Sequence, residues 1–523
     1  MSYIVAMDTT GIQSYIFNSN KLPEIIGASY LVKQAAVKAK KIVTSDQLIY
    51  ANGGNCVAQF ETESDAQAFI KELSKWVYEK APGVELIFGI CTDDLLPLKQ
   101  RVDNAFKDID KKKNTRISSQ SLLGLSVTKA CYATGLPASY LDEERYINSS
   151  IKAKLNTKDQ ANKSLSSCLS KGSNDGLSYK FPLDLDQLGR SKGDTSLIAV
   201  VHIDGNGIGE RLKSLNHEKE EDHKDLIREF SDTLEGINKQ ALYKTIQDLI
   251  NSIEITNNRP CIVNKNSNVT PIRMSQDEDK DKIILPFRPI IFGGDDVTFV
   301  CDGRIGISLA IRYMEYLKIY SQKTPLPDEK GIITASAGIA IIKPHYPFAR
   351  AYQLADALCS NAKKYRKELG DESGNFLDWH IAYTVVNDSL KDLRKKDYQE
   401  EYTNERRSKS LTQRPVRIRK EGSTEQERTW DIIEEALYQF QSGYADRRNK
   451  VKELRDALRL GEVESFVARH SPLPALSINA EDDFQNTGFL IKSIEGNPST
   501  QCVYYDAVEL LDLWIPIDSS TKG

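Results

Sequence analysis

The sequence predicts an α+β fold made of two tandem βαββαβ units followed by a helical C-terminal domain. Residues 197–203 form an apolar run, interrupted only by His202, that stops at Asp204, the pattern of a buried strand. Two turns, Asn52-Gly53-Gly54-Asn55 and Gly293-Gly294-Asp295-Asp296, each separate a pair of apolar runs, the pattern of a hairpin. The same order of elements surrounds both turns: a strand ending in aspartate, a helix, the hairpin, a helix and a strand.

The first unit is expected over residues 1–120. Residues 3–7 read as a short strand ending at Asp8, and a helix is expected from about residue 25. The hairpin arms are 47–51 and 56–60. Phe69, Leu73, Trp76 and Val77 then recur at helical spacing, and residues 84–90 give the next strand. Beyond about residue 95 the chain turns polar and Lys-rich. Residues 121–195 are expected to be an exposed connector, because 141–195 is rich in Ser, Lys, Asn and Asp with few apolar anchors.

The second unit is expected over residues 196–390. After the strand ending at Asp204 comes Gly205-Asn206-Gly207-Ile208-Gly209, then a long helix with Leu226, Phe230, Leu234, Ile237, Leu242, Ile246 and Leu249 on one face. A polar insert at about 264–283 precedes the hairpin. A helix at 305–320, a strand at 332–342, a helix at 348–367 and a strand at 379–386 complete the plan. The remainder, 391–523, opens with a charged stretch and continues with amphipathic segments at 430–440 and 451–466, hence the helical domain. Its basic segment 414–420 is expected to be a solvated loop, with nucleic-acid contact as the alternative. Residues 510–517 are expected to dock on a neighbouring domain.

Composition narrows the function classes. At 523 residues the chain exceeds what one core supports. Lys and Arg total 70 against 74 Asp and Glu, a net charge of −4, so no global basic field marks a nucleic-acid binder. No apolar run reaches the roughly 18 residues of a membrane span, and a cytoplasmic protein with no membrane partner is expected. Eight cysteines lie scattered without a Cys-x-x-Cys pair, so zinc is not expected. The six histidines include no His-Asp dipeptide, which leaves a phosphohydrolase site of that kind without a candidate.

The chemistry points to carboxylates. In a ferredoxin-like βαββαβ unit the first strand lies beside the hairpin, so Asp204 faces Asp295 and Asp296. Three carboxylates suit two hard divalent ions, Mg²⁺ or Mn²⁺, acting on phosphates. We expect Asp204, Asp295 and Asp296, with Ile203 beside them, to hold the ions. Gly205, Asn206, Gly207, Ile208 and Gly209 offer backbone amides at a helix start, where phosphate is favoured, and Gly293 and Gly294 belong to the same nucleotide site. Lys363 is placed to reach a triphosphate; Lys364 reads as solvated. His202 reads as a satisfied core residue, and Cys131 as a buried thiol.

The blocks 287–297 and 199–209 together resemble the catalytic Palm of the large subunit of type III CRISPR effector complexes, with 336–340 and 362–364 standing where that family has its later strand and lysine-bearing helix. The likeness spans about residues 1–390. It implies two Palm domains, the second carrying Gly-Gly-Asp-Asp, and the conversion of ATP into cyclic oligoadenylates as an antiviral messenger. It also implies guide RNA and other effector subunits, or self-association, as partners. Many relatives begin with a His-Asp nuclease domain, whereas this sequence opens on the first Palm; a nuclease-free subunit or a stand-alone relative is expected. Relatives often carry a zinc segment between the Palms, of which Cys131-Tyr132-Ala133-Thr134-Gly135 is a candidate remnant. A GTP-using cyclase and an ATP-binding scaffold with little catalysis are the competing expectations.

Overall fold

The structure, a computed structural model, describes residues 2–518 apart from 116–126, 167, 170–177, 189–196, 216–218, 266–268, 277–281, 329, 371–373, 385–388, 404–405, 420–427, 444–447, 471, 479–483 and 495–496. The first unit is a four-stranded antiparallel sheet in the order Leu48–Asn52, Asn55–Phe60, Tyr3–Thr10, Glu85–Cys91. Its helices are Leu22–Ile42, with a proline in the first turn, and Glu63–Lys80, capped by the Thr62 hydroxyl accepting from the Asp65 amide at 3.1 Å. A further helix, Leu98–Thr115, buries Ala105 and Ile109 against the sheet.

The second unit repeats that strand order with Phe287–Gly293, Asp296–Asp302, Ile198–Gly205 and Ala335–Ile342. Phe376–Ala382 and Val416–Arg417 extend the sheet. The duplication reaches into detail. Each hairpin carries a register shift at the same place, between Leu48 and Tyr50 and between Pro289 and Ile291. Asp8 pairs with Asn55 as Asp204 pairs with Asp296. The Thr9 amide donates to the Gly54 carbonyl at 3.1 Å, as the Gly205 amide does to that of Asp295 at 3.2 Å. Asn55 therefore matches Asp296 and Gly54 matches Asp295. Lining up the Gly-Gly doublets, as the sequence invites, is off by one residue.

The two units meet in a reciprocal manner. Helix Leu22–Ile42 of the first packs on hairpin strand Phe287–Gly293 of the second, with the Ser29 hydroxyl donating to the Ile290 carbonyl at 2.5 Å. Helix Glu220–Asn251 of the second packs on Leu48–Asn52 of the first, with Arg228 Nε donating to the Leu48 carbonyl at 2.9 Å. The turns end face to face: a Cβ built on Gly294 would stand 3.6 Å from Gly53 Cα.

Three expectations are modified. Within the connector, helix Ser149–Ser166 is packed rather than exposed. It lies so close to Leu22–Ile42 that a Cβ at Gly27 would fall 1.8 Å from the Lys154 carbonyl oxygen, while Lys154 Nζ donates to the Tyr15 carbonyl at 2.6 Å. The insert before the second hairpin contributes strand Ile272–Arg273 to a small sheet whose other strands, Ile253–Thr256 and Arg259–Ile262, precede it. The expected solvated loop at 414–420 is buried over residues 414–418, and only Arg419 among its described residues is exposed. Arg414 is fully buried, with Nε 2.9 Å from Asp506 Oδ1, a second carboxylate partner in Glu509, and Nη1 2.8 Å from the Trp379 carbonyl. Charge density reads as exposure only until distant carboxylates enclose it.

The C-terminal region is largely helical, including Trp430–Gly443 and Arg448–Leu460, and adds a four-stranded sheet. It shares a core with the second unit through Trp379, Trp430 and Trp514, whose neighbouring ring centroids are 5.9 and 6.1 Å apart. The final apolar segment docks as expected: Ser308 Oγ and Arg312 Nε donate to the Ile515 and Ile517 carbonyls, each at 2.7 Å. Among the described residues no helix is long and apolar enough to cross a membrane.

Candidate active site

Strand Ile198–Gly205 places the chemistry. Its alternation sets His202 and Asp204 on one face, with Ile203 turned into the core on the other. On the neighbouring strand Asp296 stands opposite Asp204, and Thr298 opposite His202. On the other flank Gly338 lies beside His202. A Cβ there would come 1.9 Å from the Ala355 carbonyl oxygen, so glycine is what lets helix Phe348–Leu369 lie on the strand. That helix brings Tyr352, Asp356 and Lys363 over the acidic strand ends.

The turn is held from behind. Gly294 takes a left-handed φ of 69°, and its carbonyl accepts from Asn238 Nδ2 at 2.9 Å. The Tyr313 hydroxyl donates to Asn238 Oδ1 at 2.5 Å, so the long helix and the helix after the hairpin fix the turn together. Lys363 is ion-paired to Asp204. Lys364 is 66% exposed and lies 3.8 Å from Glu368, the solvated position expected.

Burial raises the carboxyls of both Asp295 and Asp296, Asp295 further through Asp204; Asp296 is pushed up to about 8 by burial first and then by Asp204 and Asp295. Three carboxyl groups thus crowd one lysine, and a hard cation would take the place of the proton that this crowding retains. Among the described residues, His202, Asp204 and Asp296 form a group whose ligand atoms lie within 4.8 Å of one another. The donor set fits a divalent ion. Asp295 lies outside this group, in the wall of the adjoining cavity, and its carbonyl is bonded to Gly205.

That cavity, of about 250 Å³, opens between the two units. Gly53, Gly54, Lys33 and Ser29 line it from the first, and Gly293, Asp295, Asp296 and Tyr352 from the second. The glycine-rich turn after Asp204 is partly committed elsewhere. Asn206 is buried, donating from Nδ2 to Thr334 Oγ1 at 3.0 Å and accepting from Ser336 Oγ at 2.9 Å. Gly207, at φ 70°, starts the short helix Ile208–Ser214, and Ile208 packs under Gly205. Gly209 has open space around it.

Sequence reasoning did not single out Tyr352 and Asp356; His202, read as a satisfied core residue, is 4% exposed with Nδ1 3.1 Å from Thr298 Oγ1, but it also stands beside the acids. His202 was hidden by its apolar neighbours, although its spacing of two from Asp204 already put both on one face. In the first unit the acids are reduced to Asp8, and Lys113 Nζ lies 2.7 Å from its Oδ2.

Fold and site together define a tandem Palm-type protein with an acidic centre on its second Palm. Residues 197–369 match the family described as Cas10/Cmr2, second palm domain, so the likeness to the large subunit of type III CRISPR effectors recurs over the segment that carries the site. Among solved structures the chain is similar to a Csm1-Csm4 cassette in complex with AMPPNP. The two share 13% identity and a TM-score of 0.50 over 98% of this chain and 69% of that one. It is also similar to the Csm1-Csm4 cassette in complex with one ATP, at 12% identity and a TM-score of 0.44 over 98% and 70%, and to Csm1 in T. onnurineus, at 14% and 0.44 over 98% and 69%. No curated protein matches.

Proposed function

We propose that this protein is a metal-dependent nucleotidyltransferase that joins ATP through 3′–5′ bonds into cyclic oligoadenylates, within type III CRISPR-like antiviral signalling. The observation that carries the reading is the registered pair Asp204 and Asp296, half-buried beside a cavity whose opposite wall is the Gly53-Gly54 turn of the first Palm. Because both units wall this cavity, a nucleotide held at the acids of the second would face the turn of the first. The AMPPNP in the similar Csm1-Csm4 cassette supports a nucleoside triphosphate as occupant.

In this reading Asp204 and Asp296 hold the divalent ions, Mg²⁺ or Mn²⁺, assisted by Asp295 and the backbone at Ile203. The ions, when bound, favour ionisation of a 3′-hydroxyl and neutralise charge on the α-phosphate and the leaving pyrophosphate. Lys363 offers its ammonium to the triphosphate. The Gly205 and Asn206 amides donate to the Asp295 and Thr334 carbonyls, so in this turn it is the backbone from Gly207 to Gly209, with Gly293 and Gly294, that phosphate oxygens approach. The first Palm, with Asp8 but no second acid, holds the other nucleotide.

The test is incubation of the purified chain with ATP and Mg²⁺ or Mn²⁺, with and without guide and target RNA and partner subunits. Pyrophosphate release and a cyclic product by mass spectrometry are expected, both abolished by Asp295→Ala/Asp296→Ala. Cyclic product from GTP alone would favour the dinucleotide-cyclase reading. ATP binding and RNA co-purification without turnover in any arm would favour the scaffold.

A further inference from the structure

We propose that His202 is a direct nitrogen ligand of the divalent ion, and that it biases this centre towards Mn²⁺ over Mg²⁺. The inference rests on the reading of Asp204 and Asp296 as ion-holding residues. It goes further by assigning a third ligand and a metal preference.

The geometry carries it. His202 and Asp204 project from the same face of one strand, and Asp296 meets them from the next, so three ligand atoms converge within 4.8 Å from two rigid, hydrogen-bonded strands. His202 is only 4% exposed, yet it reaches the wall of the cavity where the acids stand. Both ring nitrogens have an oxygen nearby: Nδ1 is 3.1 Å from Thr298 Oγ1 and Nε2 is 3.6 Å from Asp356 Oδ1. When one nitrogen binds an ion, the other keeps a partner that fixes the ring, the arrangement metal-binding histidines need. Tyr352 packs edge-on to the ring, with centroids 5.3 Å apart, and limits its rotation.

A histidine required only for packing would not need to share the acids' face, where its ring takes space that a third carboxylate or a water could fill. Chemistry then sets the preference. Mg²⁺ asks for oxygen ligands and gives up its waters reluctantly, whereas first-row transition ions accept imidazole together with carboxylate.

The test uses the full-length, nucleotide-free protein. Pulsed EPR of its Mn²⁺ complex should show ¹⁴N coupling from a directly bound imidazole. In His202→Asn, checked for folding by circular dichroism, that coupling should vanish. Mn²⁺ affinity should fall about tenfold or more while Mg²⁺ affinity changes less than about threefold. Bound Mn²⁺ without nitrogen coupling, no Mn²⁺ binding, or equal losses for both ions in the variant would each overturn the assignment. Should the variant fail to fold, the wild-type spectrum alone decides. Nitrogen coupling without any ATP turnover would strike the cyclase reading and leave this ligand standing. Turnover in Mn²⁺ without nitrogen coupling would do the reverse.

Discussion

Asp8 and Lys113 form in the first Palm the ion pair that Asp204 and Lys363 form in the second. In both, the acid lies one or two residues before the end of the first strand. A glycine on the adjacent strand, Gly89 or Gly338, lets a helix approach until a Cβ would stand 1.9 Å from the carbonyl oxygen of Ala105 or Ala355. The lysine follows that alanine about two helical turns on. Duplication thus kept scaffold and charge pair, and divergence changed the turn: Asp295 and Asp296 stand where the first Palm has Gly54 and Asn55. Asp8 is 19% exposed and Lys113 39%, so solvent screens their attraction. Lys113→Met should cost less than about 1 kcal/mol in urea denaturation and leave Mn²⁺ affinity unchanged. A larger loss would mean that the first Palm depends on this pair to hold its helix.

The two glycines allow a paired test. Alanine at Gly338 would drive its methyl into helix backbone, the Ala355 carbonyl at 1.9 Å and the Cys359 amide at 2.4 Å, and neither can move without shifting the helix that carries Lys363. Gly338→Ala should destabilise by about 3 kcal/mol or prevent folding, and Gly89→Ala should do likewise in the first Palm. Thermal unfolding of both variants checks this; wild-type stability in either would contradict the close approach.

The architecture was legible because the main elements announce themselves locally: the apolar run before Asp204 and the two glycine turns need no partner to be recognised. Register was not. With a glycine doublet in each turn, the eye aligns the doublets, whereas the strand pairing of Asp8 with Asn55 and the shared bulge fix the match one residue away. Lys113 was lost in a Lys-rich stretch, because only its contact with Asp8, across the unit, distinguishes it. Arg414 looked solvated for the same reason, its carboxylate partners lying at Asp506 and Glu509. Local pattern specifies elements, and long-range pairing decides which charges are buried.

Asp296 predicts a pH dependence. Its ordinary value is 3.8 and it is held at about 8 in the ion-free fold, chiefly by burial. Between these values the folded state keeps a proton that the unfolded chain has released. The stability this group contributes is therefore complete below about pH 4 and lost as pH rises through about 8. Denaturation in chelator across that range should show wild-type stability falling with pH, and Asp296→Asn should remove part of the slope, becoming the more stable protein at pH 8. Because an ion must displace that proton, Mn²⁺ affinity should rise over the same window. Parallel pH profiles for wild type and variant would contradict the assignment.

Arg414 ties the C-terminal region to the Palm sheet through Asp506, Glu509 and the Trp379 carbonyl. Arg414→Met would leave the fully buried Asp506 without its cation, at a cost of about 3–5 kcal/mol. Adding Asp506→Asn should recover part of that loss, since the buried charge goes with it. Chemical denaturation of the single and double variants measures both, and a single variant as stable as wild type would show the network to be dispensable.

Lys363 and Lys364 are adjacent in sequence and opposite in setting, which separates catalysis from background charge. Lys363 reaches Asp204 from above the acids, whereas Lys364 faces solvent. If Lys363 served only to neutralise the acids, its removal would strengthen divalent-ion binding and leave turnover intact. If it also engages the triphosphate, ion binding should strengthen while turnover falls, because the ammonium that offsets developing phosphate charge is gone. Lys363→Ala is expected to show the second pattern, with pyrophosphate release down about 10²-fold and Mn²⁺ affinity equal to or above wild type. Lys364→Ala should stay within about twofold of wild type in both assays. Measuring the two readouts on one preparation distinguishes the roles, since folding damage would lower them together and charge balance alone would move only the second.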